Sequence, residues 1–174
     1  MEYTRLGRSG LRVSRVGLGC MSYGQAAAGM HQWALDEDAA APFFRQAVEL
    51  GVTFWDTANV YQGGSSEEFV GRAVRKYSRR EDIVVATKVH GKMHDGPGGS
   101  GLSRKAILEQ LDESLRRLAP TTSTCTTSTG SMTRCRSRRP CRSCTTWSKP
   151  GRCATWVLRR CGHGSSRRCS TPPP

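Results

Sequence analysis

The chain has 174 residues, with 27 Lys and Arg against 14 Asp and Glu, which gives a net charge of +13 at pH 7. That length suits one domain with a sizeable core. No apolar run reaches the roughly 18 residues that a membrane-spanning helix needs, and the first ten residues, MEYTRLGRSG, lack the apolar stretch of a signal peptide. We therefore expect a soluble, cytoplasmic protein.

The two parts of the chain differ in composition. Residues 1–119 carry 16 basic and 14 acidic residues, whereas residues 120–174 carry 11 basic residues and no acidic one. The second part also holds seven of the eight cysteines and no Ile, Phe or Tyr. A segment so poor in apolar side chains cannot offset its ordering entropy by burial. The prediction is one folded domain over residues 1–118 and a disordered tail over residues 119–174.

The start of the folded part alternates strand and helix signals. Two short alternating runs joined at residues 7–10 predict a hairpin, and the second run leads into residues 16–19, which are a strand-like entry into a glycine loop. A helix is predicted from Asp36 to Leu50, because acidic residues occupy its first turn and Gly51 follows its last residue.

The same alternation continues beyond this helix. VTFWDTANVY predicts a strand, and Ser65 with Glu68 three residues later predicts a capping box for a second helix. DIVVATKV is nearly all apolar, which is typical of a strand covered on both faces. Ser103 can cap a third helix whose apolar stripe is formed by Ile107, Leu111, Leu115 and Leu118. This order predicts a parallel α/β sheet, and periodicity alone leaves open whether it is doubly wound or a barrel.

Ionisable side chains occupy the ends of two predicted strands. Asp56 and Tyr61 follow the second strand of the series, and Lys88 lies near the end of the third. Ligands bind at the carboxyl ends of strands in parallel α/β folds. A Lys cation stabilises a nearby phenolate and so favours general acid catalysis by tyrosine, while Asp56 would hold Lys88 charged and oriented. The alternative is that Asp56 caps a turn, Tyr61 packs on a loop and Lys88 is a solvated strand end.

Three segments carry a resemblance to a known family. RLGRSGLRVSRVGLGCMSYG, GVTFWDTANVYQGGSSEEFVGRAV and VVATKV occur in this order. They are similar to the N-terminal hairpin, second strand and third strand of the aldo/keto reductases, in the branch related to potassium-channel β subunits, over about residues 1–119 without a gap. The resemblance implies a (β/α)8 TIM barrel, of which this chain would supply the hairpin and about three βα units. It also implies NADPH-dependent reduction of small aldehydes or ketones to alcohols.

The resemblance implies roles for individual residues and no metal site. The family's catalytic set is Asp, Tyr, Lys and His, which assigns Asp56, Tyr61 as proton donor, and Lys88. The residues expected to approach the nicotinamide are Gly19, Met21 and Ser22 of the first loop, together with Asp56. A dinucleotide-binding glycine motif is the weaker interpretation of this loop, since GLGCMSYG lacks the required spacing.

The catalytic His has no counterpart in the sequence. In the family, the helix ending SLRRL is followed by a strand of the form G-T-D-Y-φ-D-L-Y-x-φ-H, where φ is aliphatic, but this chain continues with APTTS at residues 119–123. The affected part of the chain is therefore the tail.

The genetic code offers an explanation for the tail. When the codons of TTSTCTTSTGS are read from the third base of the preceding codon, they admit D-Y-V-D-L-Y-Y-I-H-R-F, with the His straddling Ser128 and Thr129. TWSKPGRCATWVLRR likewise admits V-V-K-A-G-K-V-R-Y-V-G-A-S-S, which is similar to another family segment. Loss of one G from GGC-ACC-GAC gives the codons for Ala, Pro and Thr that follow Leu118. We predict that residues 119–174 are an out-of-frame translation.

This interpretation predicts a chain without reductase activity and with poor affinity for NADPH. Other interpretations keep smaller weight. The basic tail could bind nucleic acid, but its only aromatic residues are Trp147 and Trp156, without a base-stacking pattern. The pair Cys141 and Cys144 has C-x-x-C spacing, but no second such pair follows to complete a zinc site. A cofactor-sensing β subunit without enzymatic activity is the remaining alternative.

Overall fold

The fold is described from a computed structural model of the chain. It describes the residues 1–7, 10–29, 31–118, 124–128, 147–149 and 152–158. In the last three of these ranges the description concerns the backbone alone. The predicted Cys141 and Cys144 pair lies outside the described residues.

Strands and helices alternate along the part of the chain before residue 119, as the sequence predicts. The strands are β1 (Tyr3–Arg5), β2 (Arg12–Ser14), β3 (Gly17–Gly19), β4 (Phe54–Asp56), β5 (Val84–Val89), β6 (Thr124–Ser128), β7 (Trp147–Lys149) and β8 (Arg152–Leu158). The helices are α1 (Glu37–Glu49), α2 (Ser65–Tyr77) and α3 (Arg104–Leu118). Short 3₁₀ turns cover Ala26–Ala28, Tyr61–Gly64 and Arg80–Asp82.

Two sheets organise these strands. β1 and β2 form the predicted antiparallel hairpin, and the other six strands form one sheet in the order β3-β4-β5-β6-β8-β7. In this larger sheet, all neighbours pair in parallel except β7 and β8. Each of the first three connections carries one helix, so the chain builds consecutive βα units, which confirms the predicted α/β class with a parallel sheet.

The hairpin packs at the amino ends of the parallel strands. The Ser14 N–H donates to Thr53 Oγ1 at 3.0 Å, and the Thr53 N–H donates to Ser14 Oγ at 2.9 Å. Because Thr53 directly precedes β4, this reciprocal pair leaves the carboxyl ends of the strands clear of the hairpin.

The helix boundaries follow local capping chemistry, with corrections at α1 and α2. Ser103 Oγ accepts the N–H of Ala106 at 3.1 Å, as predicted for α3. Asp36, predicted as the first residue of α1, is instead its N-cap, and its Oδ1 accepts the N–H of Ala39 at 2.9 Å. The predicted capping box of α2 is wrong, since Gly64 precedes the helix and Ser65 belongs to it. The Ser65 hydroxyl is instead engaged between two loops, where it donates to Gln62 O and accepts the N–H of Gln25, both at 2.8 Å.

The core lies between the helices and the first strands of the larger sheet. Trp55 is fully buried, its ring centroid lies 5.3 Å from that of Phe44, and its indole N–H donates to Val52 O at 3.0 Å. Around this pair packs a cluster of buried side chains that includes Ala47, Phe69, Val70, Val74, Ile83, Val85 and Leu118. Burial of this cluster is the main free-energy contribution that holds the helices on the sheet.

Three short segments of the predicted tail are strands. β6 pairs in parallel with β5, and β8 pairs in parallel with β6. The prediction of disorder for the rest of residues 119–174 lies outside the described residues. Within the part of the chain that the structure describes, no helix combines the length and the apolar character needed to cross a membrane.

Candidate active site

The site is built at the carboxyl ends of β4 and β5. Asp56 is the last residue of β4, and its register partner on β5 is Ala86, two residues before Lys88. Residues two apart on a strand share a face, so Lys88 and Ala86 lie on the same side of the sheet. Lys88 therefore lies two residues farther toward the carboxyl end of the sheet than the residue paired with Asp56.

The Lys88 ammonium joins the predicted site residues. Its Nζ donates to Asp56 Oδ2 at 2.8 Å, to the Thr57 carbonyl oxygen at 2.8 Å and to Tyr61 Oη at 3.2 Å. The same Nζ lies 4.8 Å from the centroid of the Tyr61 ring. These bonds use all three donor protons of the ammonium group, so its orientation is fixed.

The burial of Lys88 rules out the interpretation that it is a solvated strand end. Its side chain is 11% exposed, against 38% for Asp56. A cation at this depth needs a charged partner and further hydrogen bonds to offset its desolvation. Asp56 and Thr57 supply both, and the partly exposed Asp56 carboxylate and Tyr61 ring leave the site accessible from one side.

The first loop lies beside this group. Gly19 pairs with Asp56 in the register between β3 and β4, and the N–H of Cys20 donates to Asp56 O at 2.8 Å. Met21 is 38% exposed, and the Ser22 carbonyl oxygen accepts the N–H of Leu35 at 2.8 Å. The predicted cofactor residues therefore lie at the same end of the sheet as Asp56.

The space at Gly19 bears on whether a cofactor ring fits. A methyl group added at Gly19 would meet no other atom within 4 Å. Open space beside a carboxylate, next to the exposed thioether side chain of Met21, suits the approach of a flat, weakly polar ring such as a nicotinamide.

A tight turn carries Tyr61 from β4 to α2. The φ angles of Gln62, Gly63 and Gly64 are +49°, +64° and +101°, so three successive residues adopt left-handed backbone. Glycine tolerates this region freely, whereas Gln62 does not. Such concentrated left-handed geometry is a feature of functional turns, and here it reverses the chain directly after the Tyr61 side chain.

Cys20 contributes a buried thiol at the edge of the site. Its side chain is fully buried, and burial together with the nearby Asp56 carboxylate raises its pKa well above the ordinary value. The thiol is therefore protonated at neutral pH and is a packing group here. A thiolate nucleophile would need the opposite environment.

Sequence reasoning missed several buried polar residues around the site. Ser66 and Glu67, in the first turn of α2, are both 0% exposed, and Gln62 is 1% exposed. The Gln62 amide oxygen and nitrogen have no hydrogen-bond partner among the described residues. The run of polar letters QGGSSEE suggests an exposed loop and helix start, and no sequence signal separates its buried members from the exposed ones.

A comparison with known proteins identifies the family of this chain. The family model named Aldo/keto reductase family matches residues 15–122. The chain belongs to the aldo/keto reductase family.

Individual relatives show the extent of the similarity. The chain is 40% identical over 136 residues to versiconal hemiacetal acetate reductase of Aspergillus parasiticus, covering 68% of this chain and 39% of that protein. It is 44% identical over 119 residues to a protein of Oryza sativa subsp. japonica named "Probable voltage-gated potassium channel subunit beta", covering 68% of this chain and 34% of that one. The predicted resemblance to the potassium-channel β-subunit branch is thereby confirmed.

A solved structure shows the same fold. The holo form of aldo-keto reductase AKR11C1 from Bacillus halodurans superposes with a TM-score of 0.61 at 36% identity, covering 74% of this chain and 40% of that chain. The chain thus spans about two fifths or less of the length of these relatives. Its parallel sheet corresponds to a part of their fold.

Proposed function

We propose that the site of this chain is the proton-transfer half of an NADPH-dependent reductase that converts small aldehydes or ketones to alcohols. The observation that carries the proposal is the Lys88 ammonium, which donates to Asp56 and to Tyr61 Oη at the same time. The carboxylate holds the cation, and the cation lies beside the phenol whose anion it would stabilise, which is the arrangement that general acid catalysis by tyrosine requires. The versiconal relative is named a reductase, which is consistent with this chemistry.

Each residue has one role in the proposal. Tyr61 donates its hydroxyl proton to the carbonyl oxygen of the substrate as negative charge develops there. Lys88 stabilises the phenolate that remains, because its Nζ lies 3.2 Å from Tyr61 Oη. Asp56 and the Thr57 carbonyl oxygen hold Lys88 charged and oriented at 2.8 Å each.

The cofactor residues are proposed on the same basis. NADPH, when bound, supplies the hydride that reduces the carbonyl carbon. Gly19, Met21, Ser22 and Asp56 would border its nicotinamide, since Gly19 is in register with Asp56 and leaves open space beside it. The site has no proposed metal.

The tail, residues 119–174, affects whether this chain can catalyse the proposed reduction. We infer that residues 119–174 are translated out of frame after Leu118, so that the family's catalytic His is encoded but not expressed. The two segments in which a shifted reading recovers family patterns contain β6 and β8. These strands follow β5 in the sheet in the order β5-β6-β8, which supports the inference.

The register of β6 adds to this support. Lys88 pairs with Thr127 and Val89 pairs with Ser128. The recovered His falls at position 129, directly after the residue paired with Val89. β6 ends at Ser128, beside the carboxyl end of β5, which is the end at which Lys88 and Tyr61 meet.

The test compares this chain with a version in which one base is restored after codon 118. Loss of NADPH absorbance with an aromatic aldehyde should be undetectable for this chain and clear for the restored version. The matched control is the restored version carrying Tyr61→Phe, which should lose at least about a hundredfold in rate. Activity of the chain as it stands would overturn the frame inference, and an inactive restored version that binds NADPH would overturn the assigned chemistry.

A further inference from the structure

The first turn of α2 contacts the ends of three strands through buried polar side chains. We propose that Ser66 and Glu67 are positioning residues that fix the backbone around the Asp56–Lys88 pair. The inference rests on the proposed function for its purpose, because it explains how the geometry of the proton-transfer group is held. Its evidence is a set of hydrogen bonds between fully buried groups.

Ser66 connects β3 and β4. Its Oγ donates to the carbonyl oxygen of Cys20 at 2.7 Å and lies 3.0 Å from Thr57 Oγ1. A serine hydroxyl has one proton, so Thr57 is the donor in the second bond. Thr57 is itself 0% exposed, and its carbonyl oxygen accepts from Lys88 Nζ. A displacement of Ser66 would therefore move Thr57, and with it the carbonyl oxygen that accepts from Lys88.

Glu67 connects α2 to β5. Its Oε1 accepts the hydroxyl proton of Thr87 at 2.5 Å, and Thr87 is the residue before Lys88. Its Oε2 accepts from Arg117 Nε of α3 at 2.7 Å. The Glu67 carboxylate has no exposed surface, whereas the Arg117 side chain is 18% exposed. The buried charge is thus both paired and hydrogen-bonded, as a stable buried ion pair requires.

The arrangement does more than attach a helix. An apolar contact would hold α2 on the sheet at lower desolvation cost, since buried ion pairs are often no more stable than well-packed apolar substitutes. The hydrogen bonds to Thr57 and Thr87, which are adjacent to Asp56 and Lys88, limit the movement of the ends of β4 and β5 relative to each other. Such restriction matters because displacement of a reacting group by about 1 Å can cost a hundredfold in rate.

The test measures the Lys88 amine in the full chain, so it needs no enzymatic activity. A limiting amount of acetic anhydride is added under native conditions, and acetylation at each lysine is quantified by mass spectrometry. The Ser66→Ala and Glu67→Gln variants should acetylate Lys88 roughly three- to tenfold faster than the parent, the factor that corresponds to one lost hydrogen bond. Acetylation of Lys92, which has a 67% exposed side chain, should not change.

Two further variants separate positioning from stability. Glu68→Gln is the matched control, since the neighbouring Glu68 side chain is 45% exposed, and it should leave Lys88 acetylation at the parent rate. If Glu67→Gln fails to fold, Thr87→Val against Thr87→Ser tests the same contact, because only the serine keeps the hydroxyl group that donates to Glu67 Oε1. An unchanged Lys88 rate in folded variants, or an equal rise at every lysine, would overturn the inference. Neither result depends on the restored reductase being active, so the two proposals fail separately.

Discussion

Gly29 lies in contact with the side chain and backbone of Gln62, across two loops that flank the candidate site. A side chain added at Gly29 would overlap the Gln62 amide oxygen and approach its Cα. On the other side, Gly24 lies against the Cβ and Cγ of Gln62. The Gln62 side chain is therefore enclosed between two glycines, which explains how a left-handed, buried glutamine is held directly after Tyr61.

This contact predicts a coupled pair of substitutions. Gly29→Ala should lower the free energy of unfolding by about 1–3 kcal/mol, because the overlap forces one loop to move. In a Gln62→Gly background, the same substitution should cost at least about 1 kcal/mol less, since the overlap with the side-chain amide is removed and only the approach to Cα remains. Urea unfolding of the four proteins of this cycle measures the difference. Gly10→Ala is the control with open space around it, and strictly additive effects at residues 29 and 62 would contradict the contact.

The buried thiol predicts a dependence of stability on pH. Burial raises the pKa of Cys20 in the folded protein. In the unfolded chain, the thiol has the pKa of free cysteine, about 8.5. The contribution of the buried thiol to the free energy of unfolding is therefore complete below about pH 8.5. It is lost as the pH rises toward the pKa of Cys20 in the folded protein, at no more than about 1.4 kcal/mol per pH unit.

Urea unfolding at pH 7 and at more alkaline pH measures this effect. Cys20→Ala should remove it and leave a shallower fall in the free energy of unfolding. The comparison is made between parent and variant at each pH, so that contributions of the other seven cysteines cancel. Identical slopes in the two proteins would show that Cys20 is not the buried titrating group.

The hydrogen bonds of Lys88 predict a stability cost for its removal. Lys88→Met should lower the free energy of unfolding by about 1–3 kcal/mol, because the buried Thr57 carbonyl oxygen and one Asp56 oxygen lose their donor. Lys92→Met is the control, since Lys92 pairs with the 94% exposed Asp95 and should change stability by less than about 0.5 kcal/mol. Equal losses in the two variants would contradict the special role of the buried site.

The cap of α1 predicts a smaller, local effect. Asp36→Ala should cost about 1 kcal/mol, because the Ala39 N–H loses its acceptor at the end of the helix. Asp38→Ala removes a charge of the same sign from the same first turn without removing the cap, and should cost only a few tenths of a kcal/mol. Thermal unfolding monitored by circular dichroism distinguishes the two, and a larger loss for Asp38→Ala would contradict the capping assignment.

Local patterns were sufficient to predict most of the fold and the centre of the site. Acidic first-turn residues and Gly51 predicted α1 nearly to the residue, and a capping serine with an apolar stripe did the same for α3. The strand-end positions of Asp56 and Lys88 predicted their meeting. Parallel strands bring their carboxyl ends together whatever the loops do, so this part of the site depends on few contacts. The position of a residue along its strand predicted the location of its side chain because the sheet is regular.

The parts that the sequence did not predict depend on burial by distant residues. Ser65 has the sequence of a helix cap, but its hydroxyl group binds Gln25, forty residues earlier in the chain. Ser66 and Glu67 are typical of an exposed first turn and are buried because Arg117 and the strand ends cover them. Tertiary contacts of this kind override local preference and leave no periodic signal.

The pairing of β5 with β6 has a consequence for how a cell would treat this chain under the out-of-frame translation proposed above. A strand edge is satisfied by the backbone groups of its neighbour, and these are the same for every residue except proline, which has no N–H. β5 therefore accepts a strand with the sequence Thr-Cys-Thr-Thr-Ser through the same backbone ladder as an in-frame one. A cellular quality-control system that recognises unpaired strand edges would find β5 covered, so its discrimination against this product would have to rest on the side chains of the tail.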